Sequence, residues 1–422
     1  MNQHPLVTTF KNLQGNARGC VKTEPLWGIP YNLYAPYVSV YMLALGLTDV
    51  QIGFITSVSL ICQVFTALLS GAITDKFGRK WTTFYSDIIS WSIPVLIWAV
   101  AQDFRYFLIA AIINSVWRIS MTSWSCLLVE DTNPRLLVDV YSWIYIFNYV
   151  AAFFAPIAGL LIARFTLVPT MRFLYLLAFV MMTTKFFVMN PMVKETDHGK
   201  QRQIETKKQS LLALLREYRG VLGQILRTPV TLYTLGLMIV MSIGLTISGT
   251  FWSILVTQKL AVPDQFLSIF ATLKSVTMLL FFFLVMPRIR EMGVRKPMIT
   301  GFIFFIAGQI LLVTMPPQSY LLLVVAILLE ACAIPMTSIF MDKLVVVSVD
   351  PKERARIMSI LYVVVILISS PFGWIAGKLS AIDRILPFMM TIILFALGVL
   401  LVFLTQKATH GRADENHFTQ AQ

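Results

Sequence analysis

The sequence predicts an all-α membrane protein of twelve transmembrane helices, arranged as two six-helix bundles with both termini on the cytoplasmic side. Three observations predict it: the apolar content, the spacing of long apolar runs, and the placement of Lys and Arg between those runs. Of 422 residues, 57% are hydrophobic and 13% charged, and the mean hydropathy is +0.75. A soluble domain is typically about 45–50% apolar and about 25% charged. The bilayer is the better solvent for this chain.

A spanning helix needs about twenty mostly apolar residues. Runs that meet this condition cover 27–47, 51–74, 81–101, 106–129, 140–163 and 173–193. After a polar stretch come 230–257, 265–286, 298–315, 320–341, 357–377 and 385–406. An even number of crossings returns the chain to its starting side. The first two dozen residues are polar and carry no apolar leader segment, so the first apolar run is expected to serve as the targeting segment.

The net charge of +13 orients the helices. On one set of alternate connections stand only Arg105, Arg164, Arg172, Lys259, Lys378 and Arg384, while Arg118, Lys185 and Lys274 fall inside spans. The other 25 of the 34 basic residues lie in the two tails and the opposite connections. Cytoplasmic connections carry the excess of Lys and Arg, which places both termini inside. Nucleic-acid binding would instead gather basic residues on one exposed face, so no nucleic-acid partner is expected.

Four segments follow: a first bundle over 1–193, a cytoplasmic linker over 194–228, a second bundle over 229–406 and a cytoplasmic tail over 407–422. The linker is rich in Lys, Glu and Gln. Leu211, Leu212, Leu215, Val221, Leu222 and Ile225 give it one amphipathic helix suited to the membrane interface. The bundles also echo each other. Pro134, Ser142 and Tyr145 recur 217 positions later as Pro351, Ser359 and Tyr362, and near the same offset Arg79-Lys80 recur as Arg295-Lys296.

Between spans 2 and 3 the chain reads Gly71-Ala72-Ile73-Thr74-Asp75-Lys76-Phe77-Gly78-Arg79-Lys80. Gly71 admits a close neighbouring helix, and Gly78 permits a tight turn that a β-carbon would hinder. Asp75 can face a helix N-terminus, where the dipole favours a carboxylate. Arg79 and Lys80 would hold the loop at the headgroups. The string resembles the signature G-x-x-x-D-x-x-G-R-K of the major facilitator superfamily, with every defining position filled. The resemblance implies that family's fold and alternating access between pseudo-symmetric halves. It also implies a cytoplasmic gate of Gly71, Asp75, Gly78, Arg79 and Lys80, with Glu130, Asp131 and Arg135 as partners. Asp350, Glu353, Arg354 and Arg356 would join them from the second half. Connection 8–9, from Pro287 to Lys296, is a degenerate copy that lacks the acidic residue at the matching place.

Ionisable groups inside spans are costly, so each should face a cavity or a partner. Arg118 lies mid-span 4, Lys274 mid-span 8 and Glu330 mid-span 10. Helical spacing puts Asn114, Arg118 and Ser125 on one stripe, Tyr34, Tyr37 and Tyr41 on another, and Ser242 and Thr246 on a third, continued by Gly249 and Ser253. By analogy with the family these stripes line a polar, aromatic cavity for substrate and protons. Tyr and Ser/Thr can equally bond neighbouring helices. Glu330 is the candidate proton carrier, with a static pair to Lys274 or Arg118 as the competing reading. Asp87 reads as a structural partner, and Lys185 as a snorkelling side chain.

Pro156 and Gly159 in span 5 partly match an element of drug/proton antiporters, and Pro371 and Gly373 stand in span 11. They read either as helix bends or as packing positions. Neither the antiporter pattern of span 4 nor the Gln-Gln pair of sugar porters is complete.

Other classes fit poorly. No span holds a histidine, so an HExxH metalloprotease is excluded, and only Asp87 is available for an aspartyl type. No phosphate-binding G-x-x-x-x-G-K-[ST] occurs. Cys20, Cys62, Cys126 and Cys332 show no metal-site spacing. No catalytic residue, cofactor or metal is expected. The expected function is proton-coupled secondary transport of a small molecule, favouring export of amphipathic compounds. The alternative is a sugar or small-metabolite symporter; a membrane enzyme or receptor is the remaining class. The expected setting is a monomer, multi-pass in a bacterial plasma membrane, with lipid, solute and protons as partners.

Overall fold

The computed structural model describes residues 10, 13–133, 136–206, 229–289, 292–348 and 354–420. Among these no strand occurs. Nine helices among the described residues are long and apolar enough to cross a membrane: Asp49–Phe77, Asp139–Phe165, Leu167–Met192, Pro229–Lys259, Asp264–Leu284, Arg295–Thr314, Tyr320–Val345, Ile360–Ile382 and Leu386–Thr405.

The other three expected spans are helical in pieces. The first runs as Pro25–Tyr34, a 3-10 turn at Ala35–Tyr37, and Val38–Ala44. Pro36 lacks the N–H that an unbroken α-helix would use there. The third is divided by a π-turn at Ile88–Ser92. The fourth breaks between Phe104–Asn114 and Trp117–Val129. A short helix, Gly15–Thr23, precedes the first span and is largely buried. Composition alone could not show this, because its residues are polar yet packed.

The chain divides into two compact units: 1–48, 58–217 and 263–272 form the first, and 49–57, 218–262 and 273–422 the second. These bounds differ from a simple cut at the linker. In the first unit, Gly159 explains the inclusion of 263–272. A β-carbon there would collide with the Gln265 carbonyl, and Thr272 Oγ1 donates to the Ala152 carbonyl at 2.9 Å. In the second unit, Gly53, Gly373 and Gly377 bring backbone against backbone. A β-carbon on Gly373 would stand 2.9 Å from the Gly53 carbonyl oxygen. Small residues permit such approach between helices in lipid.

One core of the first unit gathers Cys20, Val21, Leu127, Leu128, Val140, Met189 and Val193. That of the second centres on Phe302, Phe305 and Phe395, where the Phe305 and Phe395 rings stack at 4.7 Å. Outward stand large apolar side chains such as Phe65 (61% exposed), Leu160 (73%), Phe283 (65%) and Ile393 (71%). A water-soluble surface does not tolerate apolar exposure on this scale; hydrocarbon does.

The linker helix around Leu211–Ile225 lies outside the described residues, as do Arg135, Asp350 and Glu353; the side chains of Arg354 and Arg356 are likewise not described.

Candidate functional site

The signature loop closes at Gly78, whose φ of +83° lies in the region that glycine adopts freely. From there the chain enters the Arg79–Asp87 helix, and the first N–H groups of a helix need acceptors. Glu195 supplies them. Its two oxygens accept the backbone N–H of Arg79 at 2.8 Å and of Lys80 at 3.0 Å. The carboxylate at this N-terminus is therefore Glu195, a residue of the expected linker, and not Asp75. Asp75 instead pairs with Arg79 at 3.1 Å and with Arg202 at 2.8 Å.

Arg79 also departs from expectation. It is 3% exposed, and its guanidinium meets Glu130 at 3.1 Å, so it is locked inside the loop and does not reach towards headgroups. Burial lowers its pKa, but the bond and charge of Glu130, aided by Asp75, more than offset this and hold the group above the usual arginine value. The Asp75 hydrogen bond likewise raises Arg202. Both stay charged at any ordinary pH. The Asp197–Thr206 helix completes the assembly: Thr196 donates to Glu130, and Thr206 Oγ1 lies 3.3 Å from the Asp75 carbonyl. Asp131 is exposed, Lys80 is half-buried, and Gly71 lies in the Asp49–Phe77 helix. Of the expected partners, Glu130 engages and Asp131 points to solvent; the linker residues Glu195, Thr196 and Arg202 were missed. They fall in a segment whose polarity reads as plain linker.

Inside the spans, Lys274 Nζ lies 2.8 Å from Glu330 Oε1, with Glu330 buried and Lys274 a third exposed. This is the ion pair held above as the competing reading. Ser242 and Thr246 are half-buried on the Pro229–Ile254 helix of the same unit, and Gly249 is exposed.

In the first unit Arg118 Nε donates to Gln63 Oε1 at 3.0 Å, and its guanidinium lies 4.1 Å from the Trp117 ring centroid. Gln63 was not foreseen, although Ser59, Gln63 and Thr66 form a polar stripe at helical spacing. Asn114 Nδ2 donates to the Ser90 carbonyl at 2.7 Å, satisfying the π-turn, and Ser125 is half-buried. The three tyrosines pack inward at 2%, 0% and 0% exposure. Tyr41 donates to the Trp98 carbonyl at 3.0 Å, Tyr37 accepts from the Ser268 N–H at 3.3 Å, and Tyr34 packs on Tyr175. They serve helix contacts within this unit.

Lys185 does not snorkel. It is 5% exposed and pairs with Glu24 at 2.9 Å. Asp87, also buried, accepts from Ser120. Glu24 escaped notice because it precedes the first apolar run. The bend positions prove to be of two kinds. A two-residue turn at Phe153–Phe154, just before Pro156, interrupts the hydrogen bonding within the Asp139–Phe165 span, whereas Gly159 is a packing position. Pro371 sits within the continuous Arg354–Ile382 helix, and Gly373 lets Ser57 accept the Trp374 N–H at 2.7 Å.

Long apolar helices with inward-turned ion pairs and a signature loop sealed by buried charge define a multi-pass integral membrane protein of transporter architecture. The chain belongs to the Major Facilitator Superfamily, whose family model matches residues 28–257 and 234–420. It is similar to the uncharacterized MFS-type transporter YxaM of Bacillus subtilis (strain 168), at 25% identity over 204 residues, 47% of this chain. The match spans 50% of that relative's length. Among solved structures it shares its fold with the nucleoside transporter NupG, with a TM-score of 0.71, 17% identity, and coverage of 93% of this chain and 99% of that one. The human organic anion transporter MFSD10 (TETRAN) shares it too, with a TM-score of 0.61, 16% identity, and coverage of 95% and 100%.

Proposed function

We propose that this chain is a secondary active transporter that moves a small solute by alternating access and couples that movement to protons. It crosses a bacterial plasma membrane twelve times as a monomer, with both termini and the signature loop on the cytoplasmic side. The family supports the carrier class; the Lys274–Glu330 pair carries the coupling.

A carboxylate and an ammonium 2.8 Å apart neutralise each other where isolated charge is costly. Adding a proton to Glu330 removes half of that balance and frees Lys274, which is a third exposed while Glu330 is buried. Proton loading and the release of Lys274 thus become one event, which is what coupling requires. A change in the binding-competent population follows only if the two protonation states prefer different conformations.

Export of amphipathic compounds is the favoured direction. Uptake of a sugar or small metabolite is the second reading, favoured by the hydroxyl-bearing, partly open face at Ser242 and Thr246. The fold shared with NupG adds nucleosides to the compounds worth assaying.

The test begins with a thermal-shift screen of purified protein against drugs, sugars, nucleosides and organic acids. Stabilising compounds are then assayed in proteoliposomes. Wild-type protein should accumulate or expel solute against its gradient when a pH gradient is imposed. Glu330→Gln should lose that gradient-driven step and keep part of solute exchange. Unchanged accumulation in the variant removes Glu330 from the coupling role.

A further inference from the structure

The sequence places three cations inside spans, and two are matched by a carboxylate: Lys185 by Glu24 and Lys274 by Glu330. Arg118 is not. Among the described residues its side chain has one hydrogen-bond partner, the neutral amide of Gln63, and one ring contact, Trp117. A guanidinium in a spanning helix is costly unless something balances its charge. The described residues brace the group without neutralising it.

The bracing is specific. Gln63 is 8% exposed, and its own Nε2 donates to Ser59 Oγ at 3.2 Å, which turns the amide carbonyl towards Arg118. Trp117 lies against the guanidinium at 4.1 Å, where a ring face attracts a cation. Thr66 ties the same stretch of helix to the Ser115 carbonyl at 2.8 Å. A guanidinium carries five N–H donors, and only the Nε donor is used. The two Nη groups remain, held in a plane and without a partner among the described residues, on a side chain that is half-buried as a whole. That planar fork matches the two oxygens of a carboxylate or a phosphate, and a lysine would supply the charge without the fork.

We propose that Arg118, held by Gln63 and Trp117, is an anion subsite, and that the transported solute carries a carboxylate or phosphate group. The missing counter-charge is the solute itself. This rests on the transport reading above and assigns its substrate class.

The test uses purified full-length protein in detergent and two size-matched series: benzoate, phenyl phosphate, benzamide and benzylamine, then hexanoate, hexanamide and hexylamine. The anionic members should raise the melting temperature selectively. Arg118→Gln should weaken their binding about 10- to 100-fold, the worth of hydrogen bonds to a charged group. Arg118→Lys should recover part of the affinity, and its melting curve without ligand checks folding should the glutamine variant fail to express. Amides or amines that stabilise as well as carboxylates overturn the assignment. So does the absence of stabilisation by every anion, or undiminished binding in Arg118→Gln. Stabilisation by added anionic lipid alone would assign the subsite to a headgroup phosphate and overturn the solute.

Counterflow in proteoliposomes separates this inference from the one beneath it. Anion binding without counterflow keeps the subsite and sinks transport. Counterflow of a neutral or cationic solute, with no anion bound, keeps transport and sinks the subsite.

Discussion

Arg202 and Asp75 are 127 residues apart in sequence, and their side chains meet at 2.8 Å. The contact joins the segment after Met192 to the signature loop, so this part of the linker is packed into the loop's charge network. Asp75 shares itself between Arg202 and Arg79, while Glu195 caps the helix that Arg79 begins.

Asp75→Asn or Arg202→Gln should therefore slow transport turnover a few-fold while leaving solute binding intact. The pair is partly solvated, so its loss costs on the order of 1 kcal/mol. Stopped-flow or filter uptake at saturating solute measures the rate, and thermal shift measures the binding. Turnover equal to wild type would count against the gate.

Gly78→Ala should destabilise the loop by about 1–3 kcal/mol, the cost of holding a residue with a β-carbon at φ +83° and ψ 164°, a region that essentially only glycine adopts. The added methyl also points at Gln203 and Glu195. A melting curve in detergent reads the loss, and an unchanged midpoint would mean that the turn relaxes without cost.

Breaking the buried Glu24–Lys185 pair on one side, by Glu24→Gln or Lys185→Met, should cost about 3–5 kcal/mol, since the remaining charge is stranded. The double variant should regain much of the loss. A double variant that loses the sum of the two single losses would show that the residues act independently.

Gly53→Ala should cost about 1–3 kcal/mol through overpacking against the Gly373 carbonyl. Gly249→Ala is the control, because nothing lies within 4 Å of its β-carbon position. Equal behaviour of the two would deny the close backbone approach.

The apolar runs and the signature string made the fold legible, since hydrocarbon leaves few other solutions for such a sequence. The divided helices were less so: Pro36 hints at the turn near Tyr37, but the π-turn at Ile88–Ser92 has no clear mark in composition. Charge pairing was the hardest to read. Lys274 and Glu330 are 56 positions apart and Lys185 and Glu24 161 apart, and which cation meets which carboxylate depends on helix rotation. The tyrosine stripe illustrates the same limit, because helical spacing shows that residues share a face but not whether that face meets a cavity or a neighbour. Gln63 and Glu195 were passed over because an amide in a span and an acid in a linker are both common.

The most direct measurement is substrate-dependent proton movement, read by a pH-sensitive dye trapped inside proteoliposomes. Addition of a transported solute should change the internal pH with wild-type protein and leave it flat with Glu330→Gln. Solute movement with no pH change in wild type would contradict proton coupling, and no solute movement under any imposed gradient would contradict the carrier itself.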